Sequence, residues 1–398
     1  MSKLDDFIED IELFNSNEQH DSIYTAVVNM YGLLAALKEL RAHVGNEKIK
    51  DLISGQTRFL IRRKYEKDKG LADDVTSKPM LNICIYGGPG IGKTTLAKIL
   101  GKIIVSVGSI KGSGSGSKIQ RLKTNAEENQ GFILLLVIII VSIGSLIPPN
   151  YILLYLFLAF ILMWWLFSAE IKTTLVETHS QNETGGKVIL AGKTDFIASY
   201  LGQTGPKTKA FLENARGSVV IVDEAYQLVP STNDIFGTDA LTEINVFLSE
   251  NPESIAIIFA GYKDKIESSV FEAQPGLERR FMWHYDCEPY TSEELMSIFE
   301  IQLKNEGLLI NPKDRSKIQL LINTTTFDNQ AGDTERLAYM SAMSHNLDDG
   351  YNKFISYEHV NTNIQNIASR KQTKLSTNTN NYNNTLEELL SRLHKNSL

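Results

Sequence analysis

The run Gly87-Gly88-Pro89-Gly90-Ile91-Gly92-Lys93-Thr94 constrains this chain more than any other feature. It has the form G-x-x-x-x-G-K-[ST]. A short apolar stretch, Asn82 to Tyr86, leads into it, and a stretch of helical spacing, Leu96 to Val105, follows. Such a loop works only between a strand and a helix. Its backbone N–H groups curl around phosphate oxygens, and the helix N-terminus adds partial positive charge. The motif therefore predicts strand, loop and helix in that order. Within it Lys93 reaches the β- and γ-phosphates, Thr94 ligates Mg²⁺, and Thr95 continues the loop into the helix.

A second motif belongs with the first. Val219-Val220-Ile221-Val222 reads as a buried strand that delivers Asp223 and Glu224 to its C-terminal end. Parallel α/β sheets bind ligands at that edge. There Asp223 would hold Mg²⁺ through water, and Glu224 would orient and polarise an attacking water. Further buried strands are expected at Lys187 to Ala191 and Ile255 to Ala260. Strands alternating with helices imply a mainly parallel sheet. From Thr291 onward the apolar spacing is helical, which predicts a small helical domain. Residues 1–42 also read as helix, with Leu4, Phe7, Ile8, Ile11 and Phe14 on one stripe and Leu33, Leu34, Leu37 and Leu40 on another.

One block breaks this order. Residues 131–168 contain no charged side chain, and 30 of the 38 are hydrophobic. Pro148-Pro149-Asn150 divides them into halves of 17 and 18 residues, each about 26 Å long as a helix and slightly short of a ~30 Å hydrocarbon core. A membrane hairpin fits this pattern. Tyr151 at the turn and Trp164 and Trp165 near the far end suit interface depths. The α/β pattern lies on both sides of the block, so both ends must face the same side, and Lys118, Arg121 and Lys123 place that side in the cytosol. The flanks, GSGSGS at 112–117 and QNETGG at 181–186, have linker composition.

Composition excludes some classes. The net charge of −7, with no basic patch carrying interleaved aromatics, argues against a nucleic-acid partner. Cys84 and Cys287 have no metal spacing and suggest a reducing compartment. The acidic N-terminus has the pattern of neither a signal peptide nor a transit peptide.

At these motifs the chain resembles the AAA+ ATPases, and within them the group of stage V sporulation protein K and the red-type rubisco activase. The likeness runs through Lys78–Thr95, Tyr200–Leu228, Ile257–Ile266 and Gln274–Phe281, and covers about 230 of 398 residues. The resemblance implies ATP and Mg²⁺ as cofactors and a homohexamer acting on a protein substrate. It implies that Val44-Gly45 lies against the adenine. Tyr200-Leu201-Gly202 matches the pore loop that grips polypeptide. Arg279 and Arg280 fall where the family places its arginine finger, and which one serves stays open because Glu278 stands where arginine is common. Gly261-Tyr262-Lys263 occupies the first sensor position without the usual polar residue. Arg336 stands one residue, about 100° of helix, beyond the usual sensor arginine.

The expected architecture is an α/β, P-loop parallel-sheet domain with a helical lid, interrupted by a transmembrane helical hairpin. Its parts are an N-terminal helical arm (1–42), the α/β domain (43–111 and 186–290), an insertion (112–185), the lid (291–372), and a polar linker with a C-terminal helix (373–398). The expected activity is a membrane-anchored ATPase that remodels or threads protein, with the ATPase domain and both termini in the cytosol. The alternative is a nucleotide-gated scaffold or membrane-remodelling protein with little hydrolysis.

Overall fold

The computed structural model describes residues 2–16, 22–71, 81–110, 119–121, 186–230, 234–349 and 352–366. The hairpin at 131–168 lies outside the described residues, as do most of the insertion and the linker and closing helix of 373–398. Among the described residues, no helix is long and apolar enough to cross a membrane. The chain divides into two compact units: Met1–Arg41, Lys48–Tyr86 and Thr94–Asp286 form one, and Ala42–Glu47, Gly87–Lys93 and Cys287–Leu398 the other.

The first unit is built on a six-stranded sheet. Its strands are β1 (Asn82–Tyr86), β2 (Ile119–Arg121), β3 (Val188–Ala191), β4 (Val219–Val222), β5 (Ala256–Gly261) and β6 (Phe281–Asp286). The order is β2-β3-β4-β5-β1-β6, and every pairing is parallel. β1, β4 and β5 are buried at every residue, which is why they are runs of apolar residues, broken only by Asn82 at the start of β1. Tyr86 pairs with Gly261 and Val222 with Phe259, so β1 and β4 end at the same edge, on either side of β5. The parallel sheet expected from the sequence is therefore present.

Two strands depart from that expectation. β6 buries only alternate residues, Phe281 and Tyr285 among them, and its polar partners hide it from a search for apolar runs. β2 falls inside the range 112–185 assigned to the insertion, yet it pairs with β3. Its three residues, Ile119-Gln120-Arg121, are too short and polar to signal a strand, and glycine-serine sequence precedes them. The insertion in the sheet's order therefore begins after Arg121.

Residues 1–42 are not one helix. α1 (Lys3–Ser16) and α2 (Met30–Ala42) are separate, with a 3-10 turn at Ile23–Ala26 in which the Tyr24 N–H donates to the Ser22 hydroxyl. α1 buries Leu4, Phe7, Ile8 and Ile11. Asp10 pairs with Arg58 at 2.8 Å, and the Arg58 guanidinium stands 4.5 Å from the Phe7 ring centre. The arm is thus packed on its own unit, against α3 (Glu47–Asp68). This long helix precedes the first strand of the sheet. α4 (Lys93–Val107), α5 (Thr204–Asn214) and α6 (Ile235–Glu250) complete the connections between strands.

The second unit is mostly helical, as expected. α7 (Ser292–Asn305) starts in a capping box between Thr291 and Glu294. α8 (Arg315–Thr324), α9 (Ala331–Asp349) and a helix over 357–366 follow. A parallel pair of two-residue strands, β7 (Leu309–Ile310) and β8 (Phe354–Ile355), joins them. Strands so short leave no periodic trace in a sequence.

Candidate functional site

The glycine loop belongs to the second unit. Gly90 and Gly92 have φ of +69° and +80°, a region that side-chain-bearing residues avoid. A Cβ at Gly90 would fall 1.8 Å from the Asn329 carbonyl oxygen, and one at Gly92 would fall 2.8 Å from the Tyr290 hydroxyl. Glycine is thus required for close packing as well as for the turn. The loop is pinned by two hydrogen bonds. The Ala331 N–H donates to the Gly90 carbonyl at 3.1 Å, and the Tyr290 hydroxyl donates to the Ile91 carbonyl at 3.1 Å. Burial pushes the Tyr290 phenol up to about 12, so it remains a donor at neutral pH. Lys93 is buried, and its ammonium donates to the Gly88 carbonyl at 2.7 Å, folding back over the loop. Pro89 is exposed at the loop tip.

Tyr290 also explains the placement of Val44-Gly45. Gly45 has φ +76°, and a Cβ there would stand 3.0 Å from the Tyr290 ring and from Glu294. One tyrosine therefore touches both the segment expected beside the adenine and the phosphate loop. Sequence reasoning did not single out Tyr290. Arg336 lies on the exposed side of α9, lining a cleft of about 410 Å³ with Gln302, Glu306, Gly332 and Tyr339.

In the first unit, Thr94 and Asp223 meet although 129 residues separate them. The Thr94 hydroxyl donates to Asp223 Oδ2 at 2.6 Å. The other Asp223 oxygen accepts the Glu224 N–H at 3.1 Å. Glu224 then turns into the left-handed region, at φ +51° and ψ +47°. Its carboxylate accepts a hydrogen bond from the Tyr226 hydroxyl. Thr95 is exposed on the first turn of α4.

The Tyr200-Leu201-Gly202 segment is also in this unit. Tyr200 is 70% and Leu201 72% exposed, so two large apolar side chains stand in solvent at one tip. The base of the loop is fixed. Lys207 donates to the carbonyls of Thr194 (2.7 Å) and Ile197 (3.0 Å), and Thr208 donates to that of Phe196 (3.0 Å). Burial lowers the Lys207 pKa.

The two arginines differ. Arg280 donates through Nε to Asn245 at 2.6 Å, and its carbonyl accepts from Asn82 at 3.0 Å. Burial, and then the neighbouring Arg279 charge, lower the Arg280 pKa. Arg279 is exposed. Tyr262 directly follows β5, with its ring 5.7 Å from that of Tyr226, and Lys263 pairs with Asp286 at 3.1 Å. Cys84 and Cys287 are both buried, and burial pushes the Cys84 thiol up to about 12.

Each unit offers part of what a nucleotide and its metal need. In the second, the loop carries a lysine ammonium; in the first, the Thr94 hydroxyl and the Asp223 carboxylate share a hydrogen bond at a place that a hard cation could occupy. Among the described residues, no group of three or more His, Cys, Asp or Glu is arranged to hold a metal. A cation at Thr94 and Asp223 would complete its shell with phosphate and water, as Mg²⁺ prefers.

No family model matches the chain. Curated relatives do. The protein CfxQ homolog of Guillardia theta is 38% identical over 122 residues, 30% of this chain and 41% of the relative. The chloroplastic ribulose bisphosphate carboxylase/oxygenase activase of Cyanidioschyzon merolae is 36% identical over 129 residues, 32% of this chain and 44% of the relative. The chloroplastic cbbX homolog of Guillardia theta is 24% identical over 263 residues, 66% of this chain and 50% of the relative. The chain spans half or less of the length of these relatives. Among solved structures, the FIGL-1 AAA domain in complex with ADP aligns at a TM-score of 0.46 and 12% identity, over 87% of this chain and 91% of that one, a likeness too slight to carry weight.

Proposed function

We propose that this chain, which is similar to the red-type rubisco activase group, is an AAA+ ATPase that hydrolyses ATP with Mg²⁺ to remodel a protein substrate at a membrane. The observation that carries this reading is the Thr94–Asp223 hydrogen bond, with Glu224 next in sequence. Two residues far apart in the chain converge as a Mg²⁺ site requires, and the carboxylate that would activate water follows directly. The loop N–H groups and Lys93 would hold the phosphates, Thr94 and Asp223 the metal, and Glu224 the water. Val44-Gly45, beside Tyr290, would face the base. Arg279 or Arg280 would reach a neighbouring subunit's phosphate in a homohexamer, where a guanidinium fork suits phosphoryl charge.

The exposed Tyr200-Leu201 tip supports action on polypeptide, because an aromatic and an aliphatic side chain can press on varied sequences without selecting one. The charge-free residues 131–168 support a hairpin anchor, with the ATPase on the cytosolic side. Tethering would hold the ring at the membrane and raise its effective concentration there. The experiment is electron microscopy of detergent-extracted protein with ATP, paired with a remodelling assay of Tyr200→Ala. A ring that needs detergent, and a variant that binds ATP but no longer remodels, support the reading. A monomer indifferent to ATP would remove it.

A further inference from the structure

The Glu224 carboxylate is held by a residue that the established motifs do not include. Ala225–Leu228 forms a 3-10 turn directly after Glu224, and this turn brings Tyr226 back over the residue it has just left. Its hydroxyl donates to Glu224 Oε2. Since Glu224 is itself left-handed, its carboxylate leaves the strand in a direction that an ordinary helical or extended residue would not give.

The surroundings are shaped to hold the Tyr226 ring. Gly261 ends β5 beside it, and a Cβ there would stand 3.2 Å from Tyr226 Cδ1 and 3.1 Å from Ile266 Cδ1. The Tyr262 ring centre is 5.7 Å away, and the Lys265 ammonium stands 4.7 Å from the centres of both rings. The phenol pKa is pushed up to about 12, chiefly by burial, which keeps the hydroxyl a donor. The absence of a side chain at Gly261 and the Tyr262–Lys265 wall thus fix the ring, and the ring fixes the carboxylate.

We propose that Tyr226 is a positioning residue for hydrolysis: its hydroxyl holds the Glu224 carboxylate by one oxygen and aims the other at the attacking water. A carboxylate on three rotatable side-chain bonds would otherwise sample orientations in which it meets no water, and loss of aim lowers the rate without weakening nucleotide binding. The inference rests on Glu224 being the carboxylate that activates water.

The test is steady-state phosphate release by the full chain in four forms: unaltered, Tyr226→Phe, Glu224→Asp, and the double variant. Phenylalanine keeps the packed ring and removes only the hydroxyl. Tyr226→Phe is expected to lower kcat about tenfold, less than the ~10²-fold or more of losing the base outright, with KM for ATP unchanged. In the Glu224→Asp protein, whose shorter side chain withdraws from the hydroxyl, adding Tyr226→Phe should cost no more than about twofold. An unchanged kcat in Tyr226→Phe, or an equal loss in both backgrounds, overturns the proposal and leaves the ATPase reading standing. No phosphate release by the unaltered protein overturns both.

Discussion

At Gly90 a single hydrogen atom separates a packed loop from a collision. Its φ of +69° and the Asn329 carbonyl leave no space for a methyl group. Gly90→Ala should cost about 1–3 kcal/mol of local strain before the neighbouring backbone shifts. The expected outcome is at least tenfold weaker ATP binding by titration, with the unaltered protein as reference. Asp223 makes a different prediction. Asp223→Asn keeps the shape and can still accept the Thr94 hydrogen bond, but removes the charge and the acceptor for the Glu224 N–H. Hydrolysis should fall sharply, and the Mg²⁺ needed for half-maximal rate should rise. Such a variant behaving like the unaltered protein would remove Asp223 from the metal site.

Much of this residue-level detail was legible beforehand. Lys93, Thr94, Asp223 and Glu224 follow from spacing, because the chemistry fixes their order on a strand-loop-helix frame. Tyr290 and Tyr226 did not follow. Their roles depend on where a ring arrives in space, and a lone tyrosine looks the same in sequence whether it pins a loop or fills a core. For Tyr226 the only signal was its place two residues after Glu224, and that spacing gains meaning only once the turn is seen to reverse.

At the scale of elements, the buried strands β1, β4 and β5 were readable because burial on both faces demands near-continuous apolar runs. β6 and β2 were not, since one alternates polar residues and the other is three residues long. The turn that carries Tyr200 shows how an element supports function. Lys207 spans two carbonyls at the base of that turn, and burial already disfavours its charge. Lys207→Met should keep the α5 packing but free the loop base. Protein remodelling should fall several-fold while ATP hydrolysis holds. Equal loss of both would mean that Lys207 supports the fold rather than the loop.

At the scale of the whole molecule, the position of β2 sharpens the proposed anchor. The sheet needs residues 119–121, so an excision should remove only 122–185. A chain with that segment replaced by a short flexible linker is expected to leave the membrane fraction on flotation and retain ATP binding. An excision that starts at 112 should lose the edge strand beside β3 and melt at a lower temperature. If the 122–185 excision still floats with membranes, the anchor lies elsewhere in the chain.

The central claim is that Thr94, Asp223 and Glu224 form a working hydrolytic site. Phosphate release from ATP by the purified full chain tests it most directly, run with Mg²⁺ and with a chelator, beside Glu224→Gln. The account predicts turnover that requires Mg²⁺ and falls by ~10²-fold or more in Glu224→Gln, while that variant still binds ATP. Turnover unchanged by Glu224→Gln, or ATP bound without any release of phosphate by the unaltered chain, would contradict it.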